Sequence, residues 1–508
     1  MVTPTNQADI QLPVAYPEEG YSEPPENEPN HDTHSTGHAM VSVSTKLSSG
    51  HNYGLWALFF LFGIAMLIPW NTWTTAAPFF SERLKGSPFA NNFQSWIGLT
   101  FMLTNLGSLC ALLPFQDRID PVKRITAGLV LCGIVFFVAV GMLSLTTMNP
   151  STYFICNLIL VVLSSIASAL VAGMMAFATE FTPLIVTALV SGQGMSGIVP
   201  TVVQIVLTVS SSGSSDSPSS GSSHTVAVTK ACFFISICIS VVSLIGYTIL
   251  RKSSYAPRRT IRFNIPEHAN SSSDGIAEES SSDSLLAGLS PEADRSESFA
   301  DHWKIWKAVS PSVISMVLNF SVTLALFPTL TSYIQTTQID ATQSSLSTVG
   351  DKNQKNLFVL FHFLVFNLSD FVGKCLPMVP GLSRFSQRTL LYASLSRVVF
   401  FPLLLLCNIT ITDQLGNPLP RTFPLVFFDA PYFVILAFLG MSGGWLITLL
   451  FVAAPAEVSR SSADNVHPAG LCLASEYMVI ALAVGLAIGS AISFVLRWVM
   501  CGCNPFLG

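Results

Sequence analysis

Charged side chains are scarce in this sequence. Only 10% of its 508 residues are Asp, Glu, Lys or Arg, whereas 50% are hydrophobic. An average soluble domain carries about 25% charged residues. This composition excludes an ordinary water-soluble fold and makes a lipid bilayer the expected solvent. The chain also lacks a basic cluster large enough to bind a phosphate backbone, which excludes a nucleic-acid partner.

Cysteine and histidine are not arranged as ligands. The ten cysteines are scattered and contain no CxxC pair, so the sequence predicts neither a disulfide framework nor a zinc site. The spaced residues His31, His34 and His38 have no acid or thiol cluster beside them. We therefore expect no metal and no cofactor.

Enzyme and channel motifs are missing as well. No HExxH or GxSxG sequence occurs, and His362, the one histidine well inside an apolar run, has Phe and Leu neighbours. A channel would require repeated pore loops or a charged ring, and the sequence contains neither. These absences predict that the chain is not an enzyme and favour a carrier.

Long apolar runs dominate what is present. A helix needs about 20 mostly apolar residues to cross a bilayer, and eleven such runs occur. The predicted spans are 53–76, 93–115, 124–145, 153–179, 183–209, 230–250, 307–331, 356–379, 389–411, 424–453 and 474–498. The sequence thus predicts an all-α integral membrane protein with six spans, a long break and five further spans.

The polar segments define the expected domains. Residues 1–52 form a disordered cytosolic tail, 53–250 a six-helix bundle, 251–303 a disordered, Ser-rich cytosolic loop and 304–508 a five-helix bundle. Lys and Arg are concentrated at the loop's start and in two connectors on the same side. Because basic loops stay inside, we expect a cytosolic N-terminus.

A glycine motif resembles a dinucleotide fingerprint. Gly192, Gly194 and Gly197 match GxGxxG, but they lie within a membrane-length apolar run, where no strand precedes them. Gly485 and Gly489 repeat the small-residue pattern in the last span. We interpret both as places where helices pack closely.

Ionisable residues inside spans indicate a site. Asp370 and Lys374 are four residues apart, on one helix face, with Asn367 one turn before them. Either they bind substrate, which we favour, or they neutralise one another, or Lys374 extends to the interface. For Arg397, Glu476 and Glu180 the interface interpretation is stronger, because we place them near span ends.

The first span ends in the polar and aromatic sequence Pro69-Trp70-Asn71 followed by Thr72 to Thr75. A Trp at this depth is commonly an interfacial belt residue. It is equally suited to stack on a planar ligand. Both interpretations of Trp70 stay open.

Together these motifs resemble the equilibrative nucleoside transporter family. The resemblance rests on five segments in order: 69–71 (PWN), 191–197 (SGQGMSG), 323–328 (TLALFP), 366–374 (FNLSDFVGK), and Arg397 with 401–408 (FPLLLLCN). It implies eleven helices in a major-facilitator-like 6+5 arrangement around a central cavity. It also implies transport of nucleosides or nucleobases by alternating access, through facilitated diffusion or with protons. A sugar or drug carrier of the broader superfamily is the alternative.

The resemblance assigns roles at matching positions. A base pocket would comprise Leu67, Trp70, Phe327, Phe363 and Leu486. Asp370 and Lys374 would hold the ribose hydroxyls. We add the neighbouring polar residues Asn71, Thr74, Gln193 and Asn367 to the candidate site.

One residue of the candidate site departs from the family pattern. Lys374 stands where the family usually has Arg, and an ammonium cannot form a planar bidentate fork. Sugar recognition is therefore looser, or the substrate is a free base.

We expect the protein in the plasma membrane, with a vacuolar or lysosomal membrane as the second choice. Asn408-Ile409-Thr410 is a glycosylation sequon on the outer side.

Overall fold

The computed structural model describes the helical part of the chain. It covers residues 49–87, 89, 93–115, 119–145, 147–211, 220–252, 291–328, 330–337, 349–410, 423–461 and 468–501. Nearly all of the expected tail, including its three histidines, and most of the expected loop 251–303 lie outside these residues.

Eleven helices in the described part of the chain are long and apolar enough to cross a membrane. We name them span 1 to span 11: Tyr53–Thr75, Trp96–Phe115, Pro121–Met142, Pro150–Ala178, Pro183–Val206, Val226–Lys252, His302–Tyr333, Phe358–Met378, Gln387–Leu405, Asp429–Ser461 and Gly470–Met500. The predicted number and order are confirmed, and the chain is a multi-pass membrane protein.

Local sequence signals set several helix ends. Asp120 and Asn149 accept hydrogen bonds from the backbone of Val122 and Ser151, and a proline follows each cap. A side-chain cap satisfies one of the amide groups that a helix start leaves unpaired, and proline needs none there. Span 3 therefore begins three residues before the predicted residue 124, and span 4 three before residue 153.

Two spans end away from their predicted limits. Span 10 continues past residue 453 to Ser461, where the Arg460 guanidinium pairs with Glu457 at 3.3 Å on the exposed helix end. Apolarity alone cannot reveal such a polar extension. Span 9 ends at Leu405, before the predicted residue 411.

The chain beyond span 9 is held by the start of span 10. Nδ2 of Asn408 donates to the carbonyl oxygens of Gln335 and Thr336 at 2.9 and 3.1 Å. Asp429 accepts from the Thr336 hydroxyl at 2.6 Å and the Thr337 backbone at 2.9 Å. The Asn408 nitrogen to which a glycan would be attached thus links the segment after span 9 to the segment after span 7.

Glycines allow the closest helix contacts. A Cβ on Gly63 would collide with the carbonyl oxygen of Leu189, and one on Gly192 with that of Phe60. Spans 1 and 5 therefore meet backbone to backbone. In span 11, a Cβ on Gly485 would lie 2.7 Å from the Val317 carbonyl oxygen. The packing interpretation of these glycines is confirmed.

The spans form the 6+5 arrangement expected of a major-facilitator-like carrier. Span 1 packs on span 5 within the first six, while span 7 packs on span 11 and span 8 on span 10 within the last five. Contacts between the two groups run mainly from span 5 to span 8, and from span 11 to spans 2 and 4. The middle of span 8 consequently lies where the two groups meet.

Candidate functional site

Asp370 and Lys374 form an ion pair in the middle of span 8. Nζ of Lys374 lies 2.6 Å from Oδ2 of Asp370, and the two side chains are 7% and 21% exposed. The alternative in which Lys374 extends to the interface is therefore wrong. Asp370 keeps the larger exposure, and no donor from the described residues reaches its Oδ1. This oxygen therefore keeps its lone pairs for a further donor.

Arg397 lies near this pair, deep in the last five spans. It is 2% exposed and sits in the middle of Gln387–Leu405, so the expected interface position is wrong. Its Nη1 donates to the backbone and side-chain oxygens of Asn319 and to the Thr323 hydroxyl, and Nη2 donates to the Leu439 carbonyl at 2.8 Å. Arg397 therefore joins spans 7, 9 and 10.

Polar side chains of spans 1, 5 and 8 meet at the glycine motif. Nδ2 of Asn71 donates to the Ser196 hydroxyl at 2.7 Å. Nδ2 of Asn367 donates to the Gly197 carbonyl at 3.4 Å and to the Thr201 hydroxyl at 3.3 Å. The structure thus brings Asn71 and Asn367 to opposite sides of span 5.

Two glycines bring span 5 against span 8. A Cβ on Gly194 would lie 3.0 Å from the Phe371 backbone and 3.1 Å from the Lys374 side chain. A Cβ on Gly197 would lie 2.7 Å from Oδ1 of Asn367. Larger residues here would push span 5 away from the face that carries Asp370.

The remaining candidates of spans 1 and 5 make their contacts among spans 1, 2 and 5. Trp70 is half-buried, its ring tilted against Phe101 with centroids 5.3 Å apart, and Leu67 is half-buried one turn earlier. Gln193 is buried and donates to the sulfur of Met66 at 3.6 Å. The Thr74 hydroxyl donates to the Asn71 carbonyl at 2.9 Å, which occupies its donor within its own helix.

Aromatic rings cover the outer part of span 8. The Phe327 ring stacks on Phe366 with centroids 3.6 Å apart and meets the edge of Phe363 at 5.2 Å. Phe327 and Phe363, both candidates for the base pocket, are therefore brought together. Leu486 is half-buried in span 11. Its role, like that of the other candidates, stays a prediction.

An ion pair that sequence analysis missed joins the two groups of spans. Nη1 of Arg124 lies 2.6 Å from Oε1 of Glu476, with side chains 6% and 9% exposed. Glu476 does lie near the start of span 11, as predicted, but it is buried in an ion pair, so its interpretation as an exposed interface charge is wrong. Next to this pair the Ser475 hydroxyl bonds that of Thr179 at 3.3 Å. These contacts lie at the end of the bundle where Lys and Arg are concentrated.

Glu180 is half-buried beside this pair, and the thiol of Cys472 donates to its Oε1 at 3.8 Å. Among the described residues, no group of three His, Cys, Asp or Glu side chains could hold a metal ion. Asp370 and Lys374 instead pair within span 8, while Arg124, Glu476 and Arg397 bond between spans.

Comparison with known proteins identifies the relatives of this arrangement. Residues 157–498 match the family model described as nucleoside transporter. Equilibrative nucleoside transporter 1 of Homo sapiens is 26% identical over 480 residues, covering 87% of this chain and 96% of that protein. Equilibrative nucleotide transporter 1 of Arabidopsis thaliana is 25% identical, with coverages of 90% and 89%.

Among solved structures, a proton:xylose symporter of the major facilitator superfamily gives a TM-score of 0.55 at 12% identity, covering 91% of this chain and 93% of that one. This likeness concerns the fold alone and agrees with the arrangement of spans. The family match extends over more than half of the chain and includes the ion pair of span 8 and the clamp of Arg397. The chain is a carrier, not an enzyme, and it belongs to the nucleoside transporter family.

Proposed function

We propose that this protein carries nucleosides, and free nucleobases less well, across a membrane by alternating access. The observation that supports it most is Asp370, a half-buried carboxylate at the meeting of the two groups of spans, whose Oδ2 is held by Lys374 and whose Oδ1 has no donor among the described residues. Vicinal ribose hydroxyls are donors that a carboxylate accepts well, and the adjacent ammonium keeps it ionised. The half-buried Phe363 and Trp70 rings supply faces for a planar base, and the buried Phe327 packs against Phe363.

We further propose that the bundles 53–250 and 304–508 move against each other. Their polar contacts lie in the middle, through Asn367, and at the basic end, through Arg124 and Glu476. If the basic end is cytosolic, this conformation is closed to the cytosol. Substrate would then enter from the opposite side.

Uptake by proteoliposomes tests the proposed function. Purified protein should accumulate radiolabelled uridine and adenosine faster than hypoxanthine, and unlabelled nucleoside should compete while xylose should not. An inward proton gradient distinguishes coupled transport, which it would drive above equilibrium, from facilitated diffusion. Uptake of xylose without uptake of any nucleoside would instead support the sugar-carrier alternative.

The membrane is part of the proposal. For this multi-pass protein we propose the plasma membrane, with the vacuolar or lysosomal membrane as the second choice. Biotinylation of intact cells should label the protein. Labelling only after permeabilisation, with a vacuolar or lysosomal marker, would support the second choice.

Trp70→Ala should reduce uptake of all substrates with a planar base. Base stacking on an aromatic side chain contributes about 1–3 kcal/mol, so we expect a reduction of roughly fivefold to a hundredfold. Trp70→Phe should retain most of the activity. Trp96 of span 2, which is 46% exposed on the outside of the bundle, provides the matched control, and Trp96→Ala should leave uptake unchanged. Equal uptake by Trp70→Ala and wild type would make Trp70 a belt residue.

Glu476→Gln should open the basic end. The substitution leaves the buried guanidinium of Arg124 without its carboxylate, which removes the strongest contact between the bundles there. Reaction of the native Cys472 with a maleimide, quantified by peptide mass spectrometry, should rise several-fold. The exchanged pair Arg124→Glu with Glu476→Arg should restore the protection of Cys472 from the maleimide. Unchanged Cys472 labelling in Glu476→Gln would show that the ion pair does not hold this end closed.

A further inference from the structure

His362 is an ionisable side chain that the proposed site does not use. It lies in span 8 and is 0% exposed. Neither Nδ1 nor Nε2 has a hydrogen-bond partner in the described part of the chain. Leaving buried polar atoms unpaired is costly, and a Phe or Leu would fill the same space without this cost. The polar ring therefore requires an explanation other than packing.

The rings around His362 are those of the proposed base pocket. Its imidazole stacks on Phe363 with centroids 4.5 Å apart, and Phe327 meets it edge-on at 5.9 Å. Phe363 is half-buried, whereas His362 is fully covered. The imidazole is thus one ring away from the surface that a base would contact.

His362 also shares a helix face with Asp370. Phe366 lies one turn after His362 and Asp370 one turn after Phe366, so the three side chains follow one line along span 8. Eight residues of helix rise about 12 Å. This separation suits a ligand with a sugar at Asp370 and a base edge near His362.

We propose that His362 determines specificity by hydrogen-bonding the base edge once the Phe363 ring moves aside by about one ring thickness, ~3.5–4 Å. The inference rests on the proposed function. The donor and acceptor nitrogens of a neutral imidazole point in divergent directions, so only one of them can meet a base edge. The acceptor nitrogen can accept from the N–H of hypoxanthine or uracil, so the bases favoured by His362 are those with an N–H at this edge.

Transport of two nucleosides by proteoliposomes tests this role. Inosine has the N–H and the carbonyl, whereas 9-ribosylpurine has the same ring system and sugar without them. Because one hydrogen bond contributes a factor of about five to ten, His362→Phe should lower inosine uptake at limiting concentration by that factor. Uptake of 9-ribosylpurine should stay within about twofold. His362→Gln, which keeps a donor and an acceptor, should retain the preference for inosine.

Ser394→Ala is the matched control, because it removes another buried, unpaired polar atom from the last five spans, in span 9. Its uptake of both nucleosides should equal that of wild type. Parallel loss of both nucleosides in His362→Phe, or no loss of either, would overturn the proposal. If His362→Phe fails to reach the membrane, loss of the inosine preference in a folded His362→Gln would overturn it. Failure of wild type to carry either nucleoside would refute the proposed function itself.

Discussion

Asp370→Asn combined with Lys374→Gln should give a protein that folds, reaches the membrane and no longer transports ribosides. Each single substitution leaves one buried charge without its partner, at a cost of about 3–5 kcal/mol, so either single variant can fail through misfolding. The double variant has no lone charge. We expect its thermal stability to be near that of wild type and its uridine uptake to fall at least a hundredfold.

A substrate series separates binding from stability in this double variant. Uptake of uridine, which has both ribose hydroxyls, should fall most, 2′-deoxyuridine less, and a free base least. Melting temperature and surface labelling control for folding. Normal uridine uptake by a well-folded double variant would refute the proposal that Asp370 binds the ribose, and the ion pair would then have only a structural role.

Arg397→Met should destabilise the last five spans and abolish transport. The guanidinium forms hydrogen bonds with Asn319, Thr323 and Leu439, and bonds from a charged donor contribute about 1.5–3 kcal/mol each. Removing the charge also removes its desolvation cost, so the net loss should be smaller than their sum. We expect a loss of roughly 2–4 kcal/mol, visible as a lower melting temperature in detergent.

Arg397→Lys distinguishes geometry from charge. An ammonium preserves the positive charge but cannot reach span 7 and span 10 at once. If the clamp is the essential property, Arg397→Lys should fail like Arg397→Met. Recovery of transport in Arg397→Lys would show that the positive charge alone is required. Thr323→Val removes one acceptor of Nη1 while both Asn319 oxygens remain, so it should cost much less than Arg397→Met.

Sequence analysis predicts the fold well here because the bilayer imposes a strong local signal. Each span must be apolar over its own length, and caps such as Asp120-Pro121 mark some ends within a few residues. The pairing of Asp370 with Lys374 can also be predicted from sequence, because residues four apart on one helix lie on the same face. The GxGxxG motif could be assigned to packing because its apolar context excludes a strand.

Contacts between distant spans could not be predicted in the same way. Arg124 and Glu476 are separated by 352 residues, and each alone resembles a charge at a helix end. The predicted span 389–411 places Arg397 near the start of the helix, whereas the actual span Gln387–Leu405 places it in the middle. Its actual neighbours, Asn319 and Leu439, belong to spans that only the fold brings together. The aromatic cover of His362 is likewise a tertiary property.

The glycines of span 5 bear on the speed of transport. On one face Gly192 meets the backbone of span 1, so these two helices should move as a unit. On the other face Gly194 and Gly197 offer no side chains to interlock with span 8, and the Asn367 bonds there are long, at 3.3 and 3.4 Å. Two further long bonds involve the Ser191 hydroxyl, which donates to the Lys374 carbonyl at 3.4 Å and accepts from the Cys375 thiol at 3.6 Å. Sliding along this face therefore breaks only long bonds and moves side chains of span 8 past glycines that have none. We therefore expect a low activation enthalpy for reorientation in this region, which Gly194→Ala would raise and the temperature dependence of uptake would reveal.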